Sequence, residues 1–490
     1  MAESLWRYHA GVESVMYNAK GSATVNNSKK ELLAGQVRRL RARFVQSAGS
    51  LLGNVLPAKS LKQWIREECG NYRERIYSPL RTLTLFIEQV LGADHSCQDA
   101  VARGLSDLVS RKQAPCSLNT AGYCKARSRL PLALIWRMAR ETGETLLAQQ
   151  PKEWRWRGRE VKLVDGTTVS MPDTADNQAS FPQSRSQKKG LGFPLARLVA
   201  VVSLSCGSVL DWAVGPCKGK KTGETAMMWK LAGQLHRGDI VIADRYYAGY
   251  FMIALFVLLG VDVVIRQHQL RHTDFRRGQR LGLKDHIVNW DRPQRPAWMD
   301  ADTYATMPET LVMREVRIGG WMLVTTLADA QEASKQDLYD LYHLRWQIEL
   351  DIRSIKTVMQ MDVLRCLTPE MVEKEIAVHM LAYNMVRATM AQAAHLGRVL
   401  PRQLSFKGAL QLLNAFAENL RHCPLGRLAV NHAFLLAGLA QMKLPHRPGR
   451  VEPRARKRRP KPHELLTKPR KILRARLLKK QQQHIAACLS

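Results

Sequence analysis

At 490 residues the chain is long enough for two to four domains with a large core in at least one, which excludes a single small binding module. Its 75 lysines and arginines against 42 acidic residues leave a formal charge of +33, a surplus that repels itself unless the partner is a polyanion: nucleic acid first, an anionic membrane as the competitor. The nine cysteines form no C-x-x-C pair, so neither a disulfide framework nor a zinc module is indicated, and a reducing cytoplasm fits.

Met1 to Lys20 mixes Glu3, Arg7, His9 and Glu13 through its apolar residues, unlike a signal peptide. Helical periodicity follows in Leu32, Leu33, Leu40 and Phe44, and again in Leu83, Leu85, Phe86, Val90 and Leu91, so residues 1–155 read as a helical N-terminal domain. Trp64 and the cluster Tyr72-Arg73-Glu74-Arg75 are candidate DNA contacts there, with core packing the competing reading of the tryptophan. From about Arg159 the pattern turns β-rich, with short strands at Val161–Val164, Leu198–Leu204 and Val209–Val214 and Gly207 in the turn between the last two. A helix from about Glu224 to Leu235, a buried strand Asp239–Ala243, a helix Tyr250–Leu259 and a strand Val261–Ile265 come next. The apolar run Phe251–Val261 is too short to cross a bilayer, so no membrane partner is expected.

Strand, hairpin, helix, strand, helix, strand is the order of a ribonuclease H-like α/β core, expected here over residues 156–395. Residues 267 to about 320 turn polar and irregular before a strand resumes at Trp321–Val324, which reads as an insertion into that core. Helices are expected at Asp337–Met359 and Met371–His395, then a helical C-terminal region over 396–445 and a basic tail over 446–490. Arg447 to Lys480 holds 15 basic residues and two acids, so this tail should be disordered alone or partly helical on DNA.

Three carboxylates stand out. Asp165 follows the first strand and opens a Gly-Thr-Thr turn, while Asp244 follows the buried strand in Ala-Asp-Arg-Tyr. On neighbouring strands the two would converge within reach of a divalent cation, which prefers oxygen ligands. Glu349 belongs to Tyr342-x2-Arg345-x3-Glu349-x6-Lys356, and on a continuous α-helix these four side chains fall within an arc of about 60° over about 21 Å. Leu341, Leu344, Ile348, Ile352 and Ile355 occupy the adjoining sector, so one side packs on the core while the polar stripe stays open. That suits a metal ligand flanked by phosphate contacts, and a solvated face with an Arg345–Glu349 pair is the bland alternative.

These residues resemble the DDE transposases of the insertion sequence 4 family, whose hallmark is a Y-x2-R-x3-E-x6-K signature. Asp165-Gly166-Thr167-Thr168 with Pro172-Asp173 is similar to the family's first-aspartate region and Asp244-Arg245-Tyr246-Tyr247 to its second. The likeness runs loosely from about Arg81 to Ala394, taking in Ser96-Cys97 and Tyr383-Asn384-Met385-Val386-Arg387. The aspartates lie 79 residues apart and Glu349 a further 105 on, a gap consistent with the family's β-rich insertion.

The resemblance implies an enzyme that cuts DNA at terminal inverted repeats and joins the ends to target DNA. It implies two magnesium ions, replaceable by manganese, on Asp165, Asp244 and Glu349, with Tyr342, Arg345 and Lys356 on DNA phosphates. Relatives that pass through a hairpin stack a flipped base on a tryptophan at the head of the strand before the signature, a role that falls here to Trp321. Trp346 is a candidate DNA buttress with core packing as the alternative, and no pattern ranks Trp290 or Trp298. Lys188 and Lys189 are further candidate DNA contacts. A homodimer pairing two ends in the bacterial nucleoid is the implied assembly. A ribonuclease H-like nuclease that cuts without joining, and a non-catalytic DNA-binding regulator derived from a transposase, remain as alternatives.

Overall fold

The computed structural model describes residue 56 and residues 58–72, 75–219, 222–445 and 464–489. The periodicity at Leu32–Phe44, Arg73 and Glu74 of the basic cluster, and tail residues 446–463 lie outside the described residues.

Among the described residues five α-helices precede the sheet: α1 (Ala58–Cys69), α2 (Pro79–Leu91), α3 (Cys97–Ser110), α4 (Ala121–Arg129) and α5 (Leu132–Gln149). Local chemistry sets their starts. Pro79 opens α2, and the Ser96 side chain accepts from the Asp99 amide to cap α3. Trp64 is buried at 8% exposure under the Arg137 guanidinium, so it is a core residue.

The sheet is built from β1 (Val161–Ser170), β2 (Leu195–Ser203), β3 (Val209–Pro216), β4 (Ile240–Ala243), β5 (Asp262–Arg266), β6 (Gln279–Gly282), β7 (Asp285–Asp291), β8 (Thr310–Ile318) and β9 (Trp321–Thr325). Among the described residues its order is β3-β2-β1-β4-β5-β9-β8-β7-β6. β2 and β3 form an antiparallel hairpin against β1, while β1, β4 and β5 run parallel. Gly207 makes the hairpin turn at φ 77°, where a Cβ would also lie 2.9 Å from the Arg387 guanidinium.

Short helices α6 (Ala175–Ser180), α7 (Glu224–Leu231), α8 (Tyr250–Leu258) and α9 (Ala301–Thr306) lie between strands. α7 and α8 pack on one face through Met227, Met228, Leu231, Ile253 and Phe256. β4 is buried along its whole length, as expected for a parallel strand covered on both faces.

The segment expected to be irregular is ordered. β6, β7 and β8 continue the same sheet through β9, which pairs antiparallel with β5. Hydropathy hid these strands because buried but paired polar residues interrupt their apolar positions: Arg314, 1% exposed, donates to both Asp285 oxygens at 2.8 and 2.7 Å, and Glu315 accepts from the Trp290 indole at 2.8 Å.

The other face is covered by α10 (Lys335–His343), α11 (Trp346–Arg353) and α12 (Pro369–Leu396), followed by α13 (Phe406–His422) and α14 (Leu425–Gln441). α12 is buried on nearly every side from Ile376 to Met390, the pattern of a helix inside a core. It anchors α11 through fully buried Asp351, which accepts from Tyr383 Oη at 3.0 Å, from Arg387, and from Arg402 Nη1 at 2.6 Å to each oxygen. The described end of the basic tail forms α15 (Arg470–Leu489), where the sequence leads one to expect helix only on DNA. Among the described residues no helix is long and apolar enough to cross a membrane.

Candidate active site

Asp165 is inside β1, paired across from Ala200, and does not sit in a turn after it. The Gly-Thr-Thr stretch stays extended because the long hairpin strand β2 pairs with β1 through Ser170. The β1–β4 register runs Val161 with Ile240 to Leu163 with Ile242, and two residues further it brings Asp165 level with Asp244. Neighbouring strands lie about 4.8 Å apart, so the two carboxylates start from adjacent positions. Asp244 caps a 3-10 turn, Arg245–Tyr247, by accepting from the Tyr246 amide at 2.7 Å. Burial pushes the Asp165 carboxyl up to about 6; the Gly166 amide and Arg345 oppose the rise, and the charges of Asp244 and Glu224 add to it.

The signature residues do not share one straight helix. A tightened turn at Leu344 and Arg345 divides α10 from α11, with amide bonds back to Leu341 and Tyr342 at 3.1 and 3.0 Å. α11 then runs into a π-helical turn, Ser354–Val358, closed by Met359 N–H on Ser354 O at 3.0 Å. The stripe is therefore broken. Tyr342 is buried at 5% exposure, and burial first, then the charge of Asp244, raises its hydroxyl above the usual range. Leu344, expected in the core, is exposed at the break. Ile348 and Ile355 are buried as expected.

Arg345 reaches Glu349 Oε1 at 2.8 Å through Nη2 and Asp165 Oδ2 at 3.9 Å through Nη1. Burial works against its charge, but the Glu349 hydrogen bond and the negative groups around it hold its pKa above the ordinary arginine value. Lys356 turns onto β1, donating to Thr167 Oγ1 at 3.1 Å and Thr168 O at 2.7 Å. One face of the sheet thus brings Asp165, Arg345, Glu349 and Lys356 together.

Trp321 heads β9, half-buried, with its ring centroid 4.5 Å from His343 and 5.3 Å from Tyr342, edge to face with the latter. Trp346 is exposed, and Trp290 is buried in one core with Leu311 and Met313, under Arg271 at 3.6 Å. Trp298 packs edge-on against Trp229 and Phe251. Lys188 and Lys189 are exposed in the loop between α6 and β2.

Among the described residues no three His, Cys, Asp or Glu side chains are grouped closely enough to hold an ion as they stand. The donor chemistry nonetheless fits a hard cation. The carboxylates supply oxygen ligands, and the Arg345 guanidinium stands as a cation between Asp165 and Glu349. Glu224 and Tyr247 also enter this neighbourhood, and neither stood out as a candidate in the sequence. Tyr247 lies in the quoted Asp-Arg-Tyr-Tyr motif, but no spacing rule ties Glu224, at a helix start, to a strand 58 positions earlier.

A family model described as a transposase DDE domain matches residues 156–385. The chain is 29% identical over 351 residues, 69% of its length and 76% of the relative's, to the transposase InsG for insertion sequence element IS4 of Escherichia coli strain K12. It is 36% identical over 67 residues, 14% of this chain and 18% of the relative, to the transposase for insertion sequence element IS421 of Escherichia coli. A solved piggyBac transposase synaptic complex with hairpin DNA is similar at a TM-score of 0.41 and 8% identity, over 82% of this chain and 86% of that one. The matched region contains Asp165 within β1, Asp244 directly after the adjacent β4 and the whole Tyr342-to-Lys356 signature, so residues 156–385 carry the features of a transposase DDE domain, and the chain is similar over most of its length to an insertion sequence 4 transposase, one of the metal-dependent polynucleotidyl transferases.

Proposed function

We propose that Asp165, Asp244 and Glu349 hold the divalent ions of this transposase, two of magnesium with manganese as a substitute. The observation that carries this reading is the parallel β1–β4 register, which continued two residues brings Asp165 in β1 level with Asp244 just past β4, with Arg345 spanning Asp165 and Glu349. The ribonuclease H-like reading of residues 156–395 is supported by the β3-β2-β1-β4-β5 order, and that of 267–320 as an insertion by the strands between β5 and β9.

Bound divalent ions supply Lewis-acid polarisation of the scissile phosphate and an activated water. The chain's own residues do the rest. Arg345, freed from its carboxylates, and Lys356 clamp phosphates beside the cut, and Tyr342 orients its hydroxyl toward the same backbone. Trp321 stacks on a base flipped from the transposon end while the freed 3′ hydroxyl attacks the opposite-strand phosphodiester, displacing the 3′ oxygen of the flanking DNA and closing a hairpin that water then reopens to restore the 3′ hydroxyl. Lys188, Lys189 and the basic tail over 446–490 add sequence-independent affinity that weakens with salt. The helical N-terminal domain over 1–155 binds the terminal inverted repeats. Two copies of the chain pair the ends before they join target DNA, in the cytoplasm on the nucleoid, and 396–445 completes the helical C-terminal region.

The test is magnesium-dependent cleavage of DNA carrying the flanking inverted repeats. Asp165→Asn should abolish cutting while binding to the repeats is retained; a purified variant that still cuts overturns the assignment.

A further inference from the structure

Glu224 is the first residue of α7, which packs on the sheet face opposite α11. Its carboxyl fills the space left by Gly166, the residue after Asp165: a Cβ on Gly166 would lie 2.5 Å from Glu224 Cδ and 2.7 Å from Oε1. A side chain there would push the carboxyl away from β1. The glycine therefore lets a helix on the far face deliver an acid to the strand beside Asp165. Burial, not a salt bridge, dominates the Glu224 environment and raises its pKa; Arg197 opposes the rise, and the nearby Asp244 carboxylate adds to it.

A second observation points to a ligand. Tyr247 is fully buried, yet among the described residues its hydroxyl has no hydrogen-bond partner. Burial first, and then the charges of Glu224, Asp165 and Asp244, oppose its ionisation. A buried donor left idle at the end of the turn that Asp244 caps fits a pocket whose remaining occupant is a cation with its bound water.

We propose that Glu224 is a fourth carboxylate ligand, direct or through water, of the divalent ion held at Asp165 and Asp244, approaching from the sheet face opposite Glu349, with Tyr247 donating to the ion's water. This rests on the assignment of Asp165 and Asp244 made above. It gives each face of the sheet one glutamate and leaves the aspartates shared between them. The Gly166–Glu224 contact is then a device for positioning the ligand.

The test is Mn2+ binding by the full-length protein, read from the loss of the free-ion EPR signal, with no reaction required. Glu224→Gln should weaken Mn2+ binding at least tenfold, while metal-free binding to inverted-repeat DNA stays within twofold of the parent. Gly166→Ala should produce the same loss by displacing the carboxyl, and should add nothing in a Glu224→Ala background; it also decides the matter should Glu224→Gln fail to fold. Mn2+ affinity within twofold of the parent for both variants, or independent additive losses, overturns the role of Glu224. Asp165→Asn runs in parallel. If it too leaves Mn2+ binding unchanged, the fault lies in the underlying metal-site assignment, whereas loss in Asp165→Asn alone refutes only the fourth ligand.

Discussion

Asp351→Asn removes the one negative charge that holds two buried guanidiniums. Asp351 is fully buried two residues beyond Glu349, and its side chain receives Tyr383, Arg387 and both contacts of Arg402, whose other donors bond Leu204 O and Ser203 O at 2.7 Å. The side chains of Arg387 and Arg402 are only 6% and 12% exposed, so water cannot replace the carboxylate. Breaking a buried ion pair by removing one partner costs about 3–5 kcal/mol, and the amide recovers part of that through its own oxygen, so a loss of roughly 3 kcal/mol is expected. Urea unfolding followed by far-ultraviolet circular dichroism measures it, and inverted-repeat cleavage should fall with it because α11 carries Glu349. A companion variant, Asp351→Leu with Arg387→Met and Arg402→Met, replaces the whole charged set and should recover most of the stability. A loss below about 1 kcal/mol for Asp351→Asn, or a triple variant no more stable than the single one, refutes the view that this network anchors α11.

Arg345→Ala removes the cation between Asp165 and Glu349; Mn2+ binding without DNA should tighten several-fold while affinity for inverted-repeat DNA falls, and unchanged metal affinity would show that the guanidinium does not compete for the site. Trp321→Ala should leave the first nick intact and slow hairpin formation in a gel assay of end products, whereas equal loss of both steps assigns the tryptophan to the packing of Tyr339, Tyr342 and His343. Burial, helped by the adjacent His379 and Arg365 charges, depresses His95 to about 4 from an ordinary value of 6.5. The unfolded chain therefore binds the extra proton first, and the stability present above pH 6.5 should decline as pH falls toward 4. His95→Asn, which tolerates the φ of 60° at this position, should flatten that part of a thermal-unfolding pH series, and an unaltered profile would move its origin elsewhere.

Much was determined by sequence alone. The strands from Val161 to Ile265, their helices and the three carboxylates follow from local periodicity, turn residues and motif spacing, which are properties of neighbouring residues. Parallel pairing of β1 with β4 is not local, and it alone brings Asp165 level with Asp244. Three departures from the sequence reading have one origin. β1 runs on past Asp165 because β2 is there to pair with it, the signature helix breaks at Leu344 and opens into a π turn where it meets the sheet, and β6 to β8 stay hidden in hydropathy because Arg314 and Glu315 are buried with partners. Tertiary contacts can override helical phase and polarity, since a satisfied hydrogen bond outweighs a weak local preference. Glu224 is the extreme case: a helix start and a glycine 58 residues apart meet only because the hairpin folds α7 back across β1.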